Sequence, residues 1–222
     1  SLRGGGAERM MLNLACGFAE RDYAVDLILA KAEGPYLKEV PENVRVVDLK
    51  SSRVLASLPG LVRYLKKEKP ANLLSTLNHA NIVALWAKKI SGIPLKVVVR
   101  EANTISQGSA NAATLTGHFM PRLMCRFYPW ADKIVAVSKG VAGDLSQMVG
   151  LSPDRIKVIY NPVVTPELLE RAEEPMEHSW FLPGQPQVIL GVGRLNKQKD
   201  FPTLIQAFNF VRKQRSTRLL IL

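Results

Sequence analysis

Lys133-Ile-Val-Ala-Val-Ser138, then Lys139 to Val149, then Arg155-Ile-Lys-Val-Ile-Tyr160 decide the fold. The outer pieces are short, near-continuous apolar runs, which suits strands buried on both faces. The piece between them has helical spacing. Strand, helix and strand at this spacing predict parallel strands joined by a crossover helix. Working outward, Tyr23–Ala30, Val44–Asp48, Ala71–Leu77 and Leu95–Val99 are further strand runs. Ala7–Glu20, Leu55–Lys69, Asn81–Ser91 and His118–Trp130 carry helical patterns between them. The alternation predicts an α/β fold, a doubly wound parallel sheet.

Asn161-Pro162 ends the last of these strands, and Thr165 to Gln185 is rich in Pro and Glu without a strand pattern. Gln187–Val192 then starts a new strand, Pro202–Arg215 a helix with Pro in its first turn, and Arg218–Leu222 another strand. The expected division is a first domain over 1–165, a linker over 166–185 and the truncated start of a second α/β domain over 186–222. That last piece, of about 35 residues, is far below a self-sufficient domain. A glycine-rich turn that opens a helix ordinarily follows a buried strand, and no strand precedes Gly4. The expectation is a fragment of a two-domain protein whose first strand is missing.

Composition narrows the class. With 47% hydrophobic and 22% charged residues, the 222-residue chain is neither disordered nor fibrous. Its net charge is +11, and the excess belongs to the first part, with 22 basic against 13 acidic residues up to Thr165. Such a surface favours phosphates, anionic lipid or nucleic acid without choosing among them. No basic motif interleaved with aromatic residues points to nucleic acid. Cys16 and Cys125 have neither zinc-ligand nor disulfide spacing, and their apolar contexts read as buried thiols of a reducing compartment. Charges interrupt every apolar run before the roughly 18 residues that span a bilayer, and the first residues lack signal-peptide layering. A cytoplasmic protein, soluble or resting on the inner face of the membrane, is expected.

Three segments can carry chemistry. Arg3-Gly-Gly-Gly-Ala-Glu-Arg9 directly precedes a helix, and glycines there let an anion approach the free N–H groups of the helix start. The same turn can equally be a plain strand-to-helix connection. Arg9 stands where the third glycine of the dinucleotide fingerprint belongs, which disfavours a nicotinamide or flavin site. In Val192-Gly-Arg-Leu-Asn-Lys-Gln-Lys-Asp-Phe-Pro202, a buried strand gives way to a loop bearing Arg194 and Lys199. A planar fork and a point charge together can neutralise a diphosphate; a solvated basic loop is the plain alternative. Arg100-Glu-Ala-Asn-Thr-Ile-Ser106 follows the strand Leu95–Val99, at the end of the sheet where open α/β folds bind ligands; an Arg100–Glu101 pair that simply orders the loop is the equal alternative. Gln107–Gly117 has the composition of a mobile loop over a site.

The glycine turn Gly4–Arg9 and the basic loop Gly191–Phe201, with Val135-Ala-Val-Ser-Lys-Gly-Val141 and Lys157-Val-Ile-Tyr-Asn-Pro162, resemble the retaining glycosyltransferases of family 4 over essentially the whole chain. That resemblance implies the GT-B architecture of two facing Rossmann-like domains. It implies transfer of a sugar from a nucleotide diphosphate sugar, with retention and without a metal or other cofactor. Arg194 and Lys199 would hold the donor diphosphate and stabilise its leaving charge. Gly4, Gly5 and Gly6 would face the phosphates and the acceptor. Arg100, Glu101, Asn103, Ser138 and Asn161 are candidates for contact with sugar or acceptor. A glycan or lipid-linked acceptor completes the expected partners; Phe119–Trp130, with Arg122 and Arg126, reads either as a core-packing helix with two solvated arginines or as a surface for peripheral contact with an anionic membrane.

The family also has a Glu-x7-Glu pair late in the second domain, and no two glutamates here stand eight positions apart. The chain by itself is therefore expected to be inactive. A non-catalytic glycan- or anion-binding module on the same fold is the alternative.

Overall fold

The structure is a computed structural model describing residues 1–106, 115–197 and 199–222, with the side chains of 115–118 and 167 outside the description. It divides into two compact units, Ser1–Val163 and Val164–Leu222.

In the first unit, α1 (Gly6–Ala19) leads to β1 (Val25–Leu29) and β2 (Val44–Asp48), which pair in parallel from Val25↔Val44 to Leu29↔Asp48. The chain continues through α2 (Leu58–Glu68), β3 (Asn72–Thr76), α3 (Asn78–Ser91) and β4 (Lys96–Glu101). Then come α4 (Leu115–Phe127), β5 (Lys133–Ala136), α5 (Lys139–Val149) and β6 (Ile156–Val158). Strands β3-β4-β5-β6 form one parallel sheet in that order. The expected parallel α/β layout is thus present, with the strands of this unit in pieces of two and four rather than one continuous sheet.

Apolar periodicity explains the packing. Val97 and Val99 of β4 and Ile134 of β5 are covered by Leu65, Leu85, Met124 and Leu145 from α2, α3, α4 and α5, all but excluded from water. Leu2, Ala15, Ala19, Leu27, Leu29 and Val44 make a smaller core between α1 and the two-stranded piece. Burying a residue of Leu or Val size stabilises by about 1.5–3 kcal/mol, so the larger core anchors the four-stranded sheet. Ser138 caps α5 by accepting from Val141 N–H at 3.1 Å, and Gly92 and Gly150 end α3 and α5 in the left-handed conformation.

In the second unit, β7 (Gln187–Gly191), α7 (Phe201–Gln214) and β8 (Thr217–Ile221) form a parallel strand-helix-strand, with Gln187↔Thr217 in register.

Several local expectations change. Thr165–Gln185, read from the sequence without regular elements, holds α6 (Pro166–Ala172) and a short 3₁₀ turn, Ser179–Phe181. Thr165 accepts from Leu168 N–H, and Pro166 occupies the first turn, so cap and proline start a helix. Cys125 is exposed rather than buried, its thiol directed at the Met148 carbonyl at 3.6 Å, and Cys16 is half-buried. Leu115–Gly117, read as loop, belongs to α4; the rest of that loop, 107–114, lies outside the described residues. No helix among the described residues is long and apolar enough to cross a membrane.

Candidate active site

The glycine turn is built from backbone requirements. Gly4 has φ +106°, which excludes an ordinary side chain, and Gly5 is extended and precedes the first helical residue, Gly6. Gly5 N–H donates to Glu8 Oε2 at 2.5 Å. A Cβ on Gly5 would sit 2.9 Å from that oxygen, whereas one on Gly6 meets nothing within 4 Å. A carboxylate of the chain thus takes one donor of the turn, while the N–H groups of Gly6, Ala7 and Glu8 have no acceptor inside the helix. Arg9 forks onto both carboxylate oxygens of Glu39 and lies 3.8 Å over the Tyr36 ring. The Tyr36 hydroxyl reaches the Gly4 carbonyl at 3.4 Å, so the turn is braced from the Pro35–Glu39 segment.

The second group collects at the carboxyl edge of the four-stranded sheet. Arg100 and Glu101, read as loop residues, are the last two residues of β4 and are 5% and 1% exposed. Consecutive strand residues point to opposite faces, so the two charges part company. Arg100 donates to Thr76 Oγ1 at 3.0 Å and to Asn161 Oδ1 at 2.5 Å. Thr76 is its register partner on β3, and Asn161 lies just beyond β6. On the other face Glu101 Oε1 accepts from the Tyr128 hydroxyl and from Asn81 Nδ2 (2.9 Å). Burial pushes the Glu101 carboxyl up to about 7, opposed by these hydrogen bonds and by the Arg100 charge.

Asn103 is exposed, and Ser138 serves as the α5 cap. Asp144 of α5 accepts from the backbone N–H groups of Ile105 and Ser106, holding the segment after β4. Asn81, Tyr128, Thr76, Glu8 and Asp144 were not singled out from the sequence. Glu8 had a visible signal, an acid three residues after the cap position; Asn81 and Tyr128 had none, lying in patterns that read as helix entry and apolar helix.

In the second unit the loop after β7 leaves Arg194 and Lys199 exposed, and among the described residues neither is in an ion pair. Gly193 N–H donates to the Leu222 carbonyl at 2.8 Å, extending the β7–β8 pairing to the loop's root. Lys199 N–H is held by the Asn196 carbonyl at 3.1 Å and side chain at 3.2 Å. A Cβ on Gly193 would press within 3.2 Å of the Lys199 methylenes. The glycine therefore allows the lysine stem to lie on the backbone at the carboxyl end of β7. Two cations on a braced loop form an anion-receptive surface.

Parallel α/β units with a glycine turn before the first helix and a basic loop after a later strand have the build of GT-B-type folds. Residues 4–166 match the family model described as Glycosyltransferase Family 4, and the chain belongs to that family. It is 30% identical, over 100% of its own length and 60% of the relative's, to N-acetylgalactosamine-N,N'-diacetylbacillosaminyl-diphospho-undecaprenol 4-alpha-N-acetylgalactosaminyltransferase of Campylobacter jejuni subsp. jejuni serotype O:2. It is 24% identical to the amylovoran biosynthesis glycosyltransferase AmsD of Erwinia amylovora, over 95% of this chain and 56% of that one. The crystal structure of Anabaena Alr3699/HepE in complex with UDP superposes with a TM-score of 0.60 at 18% identity, covering 100% of this chain and 67% of that one. The chain thus spans about six-tenths of the curated relatives' length.

Proposed function

We propose that the full-length protein transfers a sugar from a nucleoside diphosphate sugar to a lipid-linked or polysaccharide acceptor, with retention and without a metal. Family membership over residues 4–166 carries this reading. In such a transfer the leaving nucleoside diphosphate gathers negative charge, and fixed cations and oriented N–H groups stabilise it in place of a metal. Arg194 and Lys199 take that role, their exposure and lack of carboxylate partners among the described residues being what it requires. Gly4 to Gly6 form the phosphate- or acceptor-facing turn of the first unit. Asn103, exposed beyond β4, is a candidate acceptor contact. The acceptor class follows from the names of the two curated relatives, one acting on a diphospho-undecaprenol substrate and one in amylovoran biosynthesis. A uridine nucleotide is the first donor to try, since UDP occupies the Anabaena structure.

The proposed domain plan has residues 1–165 as the acceptor side, 166–185 as linker and 186–222 as the start of the donor side. Leu190, Ile205 and Phe210 of the second unit are each more than half exposed. The 222 residues alone are proposed to be inactive, lacking the Glu-x7-Glu pair. Contact with the inner face of an anionic membrane falls to α4 and the residues after it, where Arg122 lies over exposed Phe119 and Arg126 over Phe127 and Trp130.

Calorimetric titration of the full-length protein with UDP and GDP in EDTA tests the reading. Binding that Arg194→Ala or Lys199→Ala weakens tenfold or more supports it. A folded protein that binds no nucleoside diphosphate overturns it.

A further inference from the structure

The proposed transfer reaction supplies the frame for Arg100, a buried cation whose partners in the described residues are a hydroxyl and an amide. Arg100 Nη1 meets Thr76 Oγ1 and Nη2 meets Asn161 Oδ1. The adjacent carboxylate, Glu101, is directed to the opposite face and bound to Tyr128 and Asn81. With 5% exposure the guanidinium is covered rather than presented to solvent, which a residue meant to seize a soluble substrate would not be. The position of its partners explains the burial. Thr76 closes β3, Arg100 nearly closes β4, and Asn161 opens the segment after β6 through which the chain leaves the first unit, whose boundary falls at Val163. Val163 N–H donates to the Asn161 carbonyl at 3.0 Å, so fixing the Asn161 side chain also fixes the turn after it. Desolvating a guanidinium is costly unless its donors are satisfied, and the rigid fork of arginine reaches two acceptors on different strands where a lysine ammonium is a single point.

We infer that Arg100 is a positioning residue for the transfer reaction: it clamps the Asn161–Val163 segment to the carboxyl edge of the four-stranded sheet and does not itself contact donor or acceptor. Asn161 is the other half of the clamp. Its side-chain oxygen is taken by Arg100.

The test uses the full-length protein with Arg100→Lys, Arg100→Gln, Asn161→Ala, Asn161→Asp and the double variant Arg100→Gln/Asn161→Ala. A clamp predicts a fall in kcat of about tenfold for Arg100→Lys, Arg100→Gln and Asn161→Ala, since small displacements near reacting groups cost that much or more. Donor KM stays within about twofold, and the double variant is no worse than the single ones. Asn161→Asp, which still accepts from the guanidinium, retains more kcat than Asn161→Ala. Amide exchange at Val163 speeds up in every variant that has lost the clamp. Losses that add in the double variant, a normal Arg100→Lys enzyme, or unchanged exchange at Val163 would overturn the clamp. A wild-type protein that neither binds nucleoside diphosphate nor transfers sugar would instead remove the functional reading, and Val163 exchange would still decide the clamp.

Discussion

The Tyr128 hydroxyl donates to the Glu101 carboxylate inside the larger core, and the two side chains come from α4's continuation and the end of β4. Tyr128 and Glu101 are each no more than 1% exposed. The contact joins a helix layer to the sheet at the carboxyl edge where the candidate residues collect.

This arrangement makes stability depend on pH. Unfolded, Glu101 ionises at the ordinary value of 4.5; folded, it holds its proton up to about 7. The folded state therefore binds more protons between those values, and the contribution of this group is full below 4.5 and lost as pH rises through 7. The loss is of the order of 3 kcal/mol by linkage. Glu101→Gln, which keeps an acceptor for Tyr128, flattens this part of the profile and is the more stable protein at pH 8. Urea unfolding of both proteins from pH 4.5 to 8 checks it; parallel profiles would sink the assignment.

Tyr128→Phe leaves the buried carboxylate with Asn81 as its remaining donor of the pair and costs about 1–3 kcal/mol near neutral pH. Because the tyrosine hydrogen bond lowers the Glu101 pKa, its loss also moves the descending limb of the profile to higher pH. The same urea series reads both effects.

At the glycine turn, Gly5→Ala and Glu8→Ala remove one shared interaction, since the new methyl would displace the Glu8 carboxylate from Gly5 N–H. Each is expected to cost about 1 kcal/mol in thermal stability, and the double variant about the same as either one. Gly6→Ala, with nothing near its Cβ, leaves the fold intact. Additive losses at positions 5 and 8 would show that the carboxylate is not held there.

Gly193→Ala drives the Lys199 stem off the backbone. On the proposed reading, nucleoside diphosphate affinity falls several-fold, and because Gly193 has φ +156°, where an alanine is strained, the melting temperature of the full-length protein falls as well. Equal affinity for both proteins would mean Lys199 needs no such seat.

Much of the architecture was legible in the residues, because near-continuous Val/Ile/Leu runs separated by helical patterns leave few alternatives to parallel α/β. Lys139–Val149 matches its predicted limits, since Ser138 and Gly150 mark both ends chemically. The Arg100 and Glu101 placement was not legible. Charged residues after Val99 look like a loop, and only the pairing of β4 with β3 and β5, together with Asn81 and Tyr128 from distant helices, makes two charges tolerable inside a strand. Thr165 and Pro166 carried a helix-start signal that the sequence reading passed over for want of a strand pattern. The glycine turn and the basic loop were both visible as motifs, while the capture of Gly5 N–H by Glu8 depended on geometry.

The opposed directions of Arg100 and Glu101 have a consequence for how β4 finds its place during folding. Apolar valines at 97, 98 and 99 would tolerate a shift of one residue against β3 or β5, as a run buried on both faces carries little alternation to forbid it. The charges do not tolerate it. A one-residue slip would exchange the faces of the guanidinium and the carboxylate and break the hydrogen bonds to Thr76, Asn161, Tyr128 and Asn81 together, leaving two charges buried away from the partners that hold them. The two residues act as a key that admits a single alignment of the central strand.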